Sequence, residues 1–416
     1  MKIFKNESDK RHQKRELPSL VSVLGIGFPS QIPLDYLHSV LLGATKKILK
    51  KLFYSNGPRN RPILQQNYST AVTNSLQKIN AFIPSEIHRS CRPIHEIATF
   101  KGNELRVFSL KVGPVALKYN VPNEIYNNFM LLYAAITILC DPDLCLLKNE
   151  TAKALIDEFL ESSEEVYGKE FLVSVVHSLI HLPGIVMQQR APLDEFSAFP
   201  FECFMTPIKN CLHSGKNSLE QFHRRMIEIE NADQGHSRTE PNKIITGRKI
   251  SPEEIASLNI YGVTVSSLNK RDQFLLSKQG NVLQCQKISI KDNILTFRCQ
   301  ELVKHGEFFE FPIKASKLNY FWCTTNCFAV EKDFLLEDLS RKLFGMPFED
   351  STLVFALLRK FENHCELFIL TFLIFPDDLK LIILDKTNKR ITQNKKVFQP
   401  VFTARFYGPI IIFKFF

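Results

Sequence analysis

The chain lacks any apolar run of the roughly 18–20 residues that a membrane-spanning helix needs. Its longest candidate, LFILTFLIF at 367–375, is too short and is followed at once by PDD. The start, MKIFKNESDKRHQKRELP, has no apolar stretch of the kind a secretory signal carries. There is no C-x-x-C, no P-loop, no G-x-G-x-x-G and no Ser/His/Asp arrangement, so kinase, dehydrogenase and hydrolase chemistry find no support. Tryptophan is nearly absent, one residue against 35 phenylalanines. Neither a membrane partner nor a small-molecule substrate is expected.

Positive charge, by contrast, is plentiful. The 53 Lys and Arg outnumber 43 Asp and Glu, for a net charge of +10, which favours polyanion partners such as DNA or RNA. The run KRHQKR at 10–15 reads either as a solvated tail or as a DNA-contacting or nuclear-import stretch. Ten cysteines are scattered without a compact framework, so a cytosolic or nuclear chain is expected to hold them buried and reduced.

Pattern divides the 416 residues into a basic tail (1–20), a mainly α-helical region (21–230), a linker (231–257), a small all-β barrel-like domain (258–328) and an uncertain C-terminal segment (329–416), α+β in all. On 34–53, Leu34, Leu37, Leu41, Leu42, Ile48, Leu49 and Leu52 can line one helix face, with Lys46, Lys47, Lys50 and Lys51 opposite. Helices are predicted over about 65–80, 104–117, 124–141, 149–168, 171–183 and 218–231, the fourth capped by Asn149 and the fifth stopped by Pro183. Strands are predicted at GVTVSSL, FLLSK, NVLQCQKISI, ILTFRC, FFEFPI and NYFWC, in an SH3-like barrel or a sandwich. EKDFLLEDLSRKLFG at 331–345 reads as a helix, and LFILTFLIF and KLIILD as strands.

His177 and His181 are four residues apart on a predicted helix, so their rings share a face, a spacing that can bind a metal. Two histidines one turn apart are more often a polar patch, and zinc needs further ligands. CDPDLC (Cys140, Cys145) and WCTTNC (Cys323, Cys327) are the nearest cysteine pairs, neither with zinc-knuckle spacing. Glu202 lies among Phe196, Phe199, Phe201 and Phe204, where a carboxylate needs a partner; otherwise it is a first-turn glutamate facing the helix dipole after Pro200. Asp35 and His38 read as helix-start capping chemistry, and Glu104 and Arg106 as a structural pair.

Three blocks carry a family resemblance. PLDYLHSVLLGATKKIL (33–49), GKEFLVSVVHSLIHLP (168–183) and PLDEFSAFPFECFMTPIKNCLHSGKNSLEQFHRRMIEIE (192–230) resemble, in order and spacing, blocks of animal transposon-derived proteins related to CACTA transposases. The resemblance spans about residues 20–325. The wider superfamily has an RNase H-like core with three metal-binding acids and a structural zinc. By resemblance His177 and His181 look like the late zinc pair, and Glu202 looks like the final metal-binding glutamate, 21 residues after His181. The family's upstream DGLPLF, CDAPAR and C-x-x-C blocks are missing, so Asp35 corresponds to the helix-start aspartate and not to a catalytic acid. An intact member would use Mg2+ and Zn2+; this chain as given is expected to hold neither. One glutamate cannot hold two ions about 4 Å apart. What the resemblance implies is a degenerate, nuclear transposase-derived protein without strand transfer. It would contact DNA phosphates through Lys46, Lys47, Lys50, Lys51, Arg224 and Arg225. The alternatives are a helical protein-interaction module with no DNA role, and a truncated version of an active transposase.

Overall fold

A computed structural model describes residues 33–55, 61–233, 245–291, 294–324, 331–348, 351–360, 369–375, 378–384, 403–407 and 410–414. The expected basic tail 1–20, residues 234–244 of the expected 231–257 linker and Cys327 lie outside these residues.

The leucine pattern of 34–53 produces a π-helical segment, Leu37–Thr45, that runs into helix α1 (Lys46–Phe53). Leu37, Leu41, Ile48, Leu49 and Leu52 are buried along it, and Leu42 is half-buried. Gly43 allows another segment to approach: a methyl there would sit 2.6 Å from Val175 Cγ2 and 2.7 Å from the His38 carbonyl oxygen. α2 (Gln66–Asn80), α3 (Gly102–Val107) and α4 (Gly113–Leu117) follow. α5 (Asn123–Cys140) is buried almost all round, as its apolar sequence demands, and packs along the amphipathic α6 (Asn149–Tyr167).

Two helical details differ from expectation. Asn149 does not cap α6; its amide donates to the carbonyls of Cys145 (3.2 Å) and Pro183 (3.1 Å). Residues 171–183 are broken into α7 (Ser174–His177), a 3-10 turn (Ser178–His181) and α8 (Leu182–Gln189). Pro183 starts α8 instead of ending a helix, because its missing N–H would have no helical partner in a first turn anyway. α9 (Phe199–Asn210) and α10 (Ser218–Asp233) complete the helical part.

The fold then changes to strands: β1 (Ile245–Thr246), β2 (Glu254–Ile255), β3 (Ser257–Ile260), β4 (Val263–Ser266), β5 (Phe274–Ser277), β6 (Val282–Lys291), β7 (Ile294–Glu301), β8 (Val303–Gly306), β9 (Tyr320–Thr324), β10 (Lys332–Leu335), β11 (Leu339–Phe348) and β12 (Ser351–Lys360). β1, β3 and β4 form a small sheet. The main antiparallel sheet has the order β10-β7-β6-β5-β11-β12-β9-β8, with β2 beside β6. Bulges at Cys285/Lys287, Lys304/Gly306 and along Leu339–Leu343 add twist, and the sheet curls into a half-barrel. The protein is therefore α+β. A separate four-stranded sheet follows the order β14-β13-β16-β15, from β13 (Ile369–Phe375), β14 (Asp378–Leu384), β15 (Thr403–Tyr407) and β16 (Ile410–Lys414).

Residues 331–345 form β10, a 3-10 turn and β11 rather than a helix, and the main sheet continues past 328 through β12. β11 is central and covered on both faces, so nearly every residue from Leu339 to Met346 is buried whatever its polarity. FFEFPI at 308–313 forms no strand; Phe308 and Phe309 plug into the helical core. That core is shared. Leu37, Phe108, Phe129 and Tyr133 belong to one cluster with Phe308, Tyr320, Phe344, Leu353 and Phe355 from the β half.

Buried charge also joins the halves. Arg341, 2% exposed, donates to Asp141 at 2.8 Å and to Asp143. Lys342, fully buried, pairs with Glu86 at 2.8 Å and Asp272 at 2.5 Å.

Candidate functional site

The first and third resemblance blocks meet at one side chain. Asp35 caps the helix start, accepting the backbone N–H of Leu37 (3.2 Å) and His38 (3.1 Å). Its Oδ1 also accepts the N–H of Ala198 at 2.7 Å, which ties the start of α9 to the start of the Leu37 segment. His38 Nδ1 contacts Asp35 Oδ2, and His38 Nε2 lies 3.1 Å from Glu202 Oε1. Glu202 is thus not sunk among phenylalanines. Its side chain is 51% exposed, in the first turn of α9, and the partner it requires is His38.

Glu202 stands at the rim of a basin of about 1090 Å³ between α1, the segment 88–104 and α9. Lys46, Arg89, Arg92 and Lys101 line it, with Glu104 as the buried acid beneath. Glu104 accepts from Arg92 Nε (2.7 Å), Arg92 Nη2 (3.1 Å) and the Lys101 N–H (2.9 Å). Burial pushes its carboxyl up, but the Arg92 and Lys101 hydrogen bonds and the Arg92 charge outweigh this and hold it below its ordinary value. Gly102 shapes the wall: a methyl there would lie 2.5 Å from Leu37 Cδ1 and 3.1 Å from Phe199 Cε1. The Glu104–Arg106 pair expected from sequence does not form. Arg106 instead pairs with Asp194 and lies over the Phe199 ring.

The remaining predicted residues are dispersed. His177 ends α7 and His181 ends the following 3-10 turn, so they do not share one regular helix; their rings meet edge to face at 6.3 Å. Burial, and then the neighbouring His177, push the His181 imidazole below its ordinary value. Neither histidine lines the basin. Lys46 donates to the Phe100 carbonyl at 3.1 Å. Lys47 donates to the Glu170 carbonyl at 3.4 Å and lies over Phe171, while Lys50 lies over Tyr54. Lys51 is half-buried. On α10, Arg224 is exposed and Arg225 pairs with Glu228 at 2.6 Å.

Donors for zinc or magnesium are incomplete among the described residues. No group of three or more His, Cys, Asp or Glu side chains is placed around a common point. The histidine pair supplies two ligands where a structural zinc takes four. Asp35 and Glu202 flank the His38 imidazole. CDPDLC uses Asp141 and Asp143 for Arg341, with Cys140 and Cys145 buried. No helix among the described residues is long and apolar enough to cross a membrane.

Sequence reasoning missed Arg89, Arg92 and Lys101: the two arginines lie in IPSEIHRSCRP (83–93), a loop-like stretch by composition, and Lys101 lies beyond it in no recognisable motif. The clue was the density of cations, with Arg89 and Arg92 close together and Lys101 soon after.

Compared with known families, residues 241–357 match a domain of unknown function, DUF8592. The match runs from just before β1 into β12, so it covers the half-barrel and leaves the basin outside. Comparison with curated proteins and with solved structures finds no match.

Proposed function

We propose that the chain is a degenerate transposase-derived protein that binds DNA through phosphate contacts and does not transfer strands. The resemblance of the three blocks supports the ancestry. The observation that carries the reading is the meeting of Asp35, His38 and Glu202, from two of those blocks, with Glu202 also lining a basin rich in cations. Loss of strand transfer is supported by the arrangement of the acids. Glu202 is engaged by a histidine, and two-metal phosphoryl transfer needs carboxylates converging on ions about 4 Å apart.

Titrating a fluorescent DNA duplex at rising salt tests the reading. The logarithm of the binding constant should fall linearly with the logarithm of salt concentration. No binding at low ionic strength would remove DNA from the proposal. A strand-transfer assay with Mg2+ or Mn2+ should give no product, and product that disappears in Glu202→Gln would overturn the degenerate reading.

One observation favours a second reading, a helical interaction module. Leu219, Ile227 and Ile229 of α10 are 54%, 43% and 44% exposed. A helix-binding partner lost on Ile229→Glu, in a protein without DNA affinity, would select it.

A further inference from the structure

The cations around the basin differ in how far they are already committed. Arg92 is fully engaged: it donates to Glu104, to Glu96 at 3.0 Å and to both the hydroxyl and the carbonyl of Thr99. Glu104 has no exposed surface, and its oxygens are taken by Arg92 and the Lys101 amide. Arg89 comes only within 3.9 Å of Glu104 and is 53% exposed. The exposed Lys101 side chain makes no hydrogen bond or ion pair among the described residues. Lys46 makes one hydrogen bond, to Phe100 O, and an ammonium has three donors. Three cations with donors to spare therefore face one exposed carboxylate, Glu202, which His38 already engages. The crowding is felt at Lys46: burial, and then the charges of Lys50 and Lys101, push its ammonium below its ordinary value. A concave wall concentrates such a field.

We propose that this basin is a phosphodiester-backbone site, in which Arg89 and Lys101 contact successive phosphates at the mouth and Lys46 lies deeper. This rests on the DNA-binding reading and relocates its main contact. The sequence pointed to Lys46, Lys47, Lys50, Lys51, Arg224 and Arg225; of these Lys46 lines the basin, whereas Lys47 and Lys50 lie over aromatic rings and Arg225 is paired. A phosphodiester chain fits better than a single carboxylate. It offers regularly spaced single charges to cations on separate segments, and its non-bridging oxygens match the guanidinium fork of Arg89.

The test measures the salt slope of duplex binding for the full chain, Arg89→Ala/Lys101→Ala, the charge-conserving Arg89→Lys/Lys101→Arg, and Arg224→Ala/Arg225→Ala. Each phosphate contact contributes about 0.9 to the slope. The basin double alanine should therefore lower it by roughly 2 and weaken binding on the order of tenfold or more at low salt. The charge-conserving pair should keep the slope, which also guards against a folding defect in the alanine pair. An unchanged slope in the basin variant with a lowered one in the α10 variant overturns the site and leaves DNA binding standing. No salt-dependent binding by the unaltered chain overturns both. A poly-glutamate competitor that displaces the duplex at equal charge concentration also overturns the phosphodiester assignment.

Discussion

Lys111 shows how far tertiary context can move one residue from its sequence identity. In a helical stretch it reads as a surface lysine, yet it is 7% exposed in the segment Phe108–Val112 and donates to the Ala356 carbonyl of β12. Burial, and then the charge of Arg106, push its ammonium down to about 7 from an ordinary 10.5. A lowered folded value means that the folded state holds fewer protons than the unfolded state between pH 7 and 10.5, so stability rises with pH across that window. Below it the penalty is complete, at ~1.4 kcal/mol per pH unit of difference. Lys111→Met removes the penalty and forfeits one hydrogen bond of about 1 kcal/mol. The variant should be more stable than the parent at pH 7, and the advantage should vanish by pH 10, as read from urea midpoints. A gap that does not change with pH would show that Lys111 is not held neutral. Residue pairing was the least legible level of the sequence. Glu104 and Arg106 are near neighbours with opposite charge, but Arg92 and Asp194 approach them from 12 and 88 residues away.

Elements were legible where their own periodicity decided the outcome. The apolar α5 and the amphipathic α6 form as their spacing predicts, and Asp35 caps its helix as its residue type predicts. They were illegible where burial came from another element. The segment 331–345 carries leucines at helical spacing, but its second half, β11, lies between β5 and β12 with both faces buried, its first half, β10, pairs with β7, and pairing overrides propensity. The candidate site follows the same division. Glu202 and Asp35 were visible as motif residues, whereas their link through His38 needed α9 to dock on the Leu37 segment. Asp35 holds that docking, since one carboxylate caps one element and accepts the Ala198 N–H at the start of the other. Asp35→Ala should cost about 2 kcal/mol, more than Glu202→Gln, which alters only an exposed contact. Chemical denaturation compares the two, and equal losses would mean that Asp35 does not join the elements.

At the scale of the whole molecule the helical half and the half-barrel cannot be separated, although the change of composition near 231 suggests two independent units. Tyr320, Phe344, Leu353 and Phe355 from the sheet lie in one apolar cluster with Phe108, Phe129 and Tyr133 from the helices. Arg341 and Lys342, adjacent on β11, bury their charges against Asp141 in one case and against Glu86 and Asp272 in the other. Separating the halves would uncover aromatic surface and leave charges unpaired, so both should unfold in one transition. The sequence supplies a separate reporter for each half. Trp322 on β9, the lone tryptophan, senses the sheet by fluorescence, and far-UV circular dichroism senses the helices. Urea curves from the two signals should superimpose. Arg341→Ala should shift both together, by about 3–5 kcal/mol, because it strands Asp141 in the shared interior. If the tryptophan transition moves and the helical one stays, the halves fold independently and Arg341 is a local feature of the sheet. If both move in register, the basin, Glu202 and the half-barrel belong to one cooperative unit. Changes within the DUF8592-matching region would then reach the site through stability, without touching it.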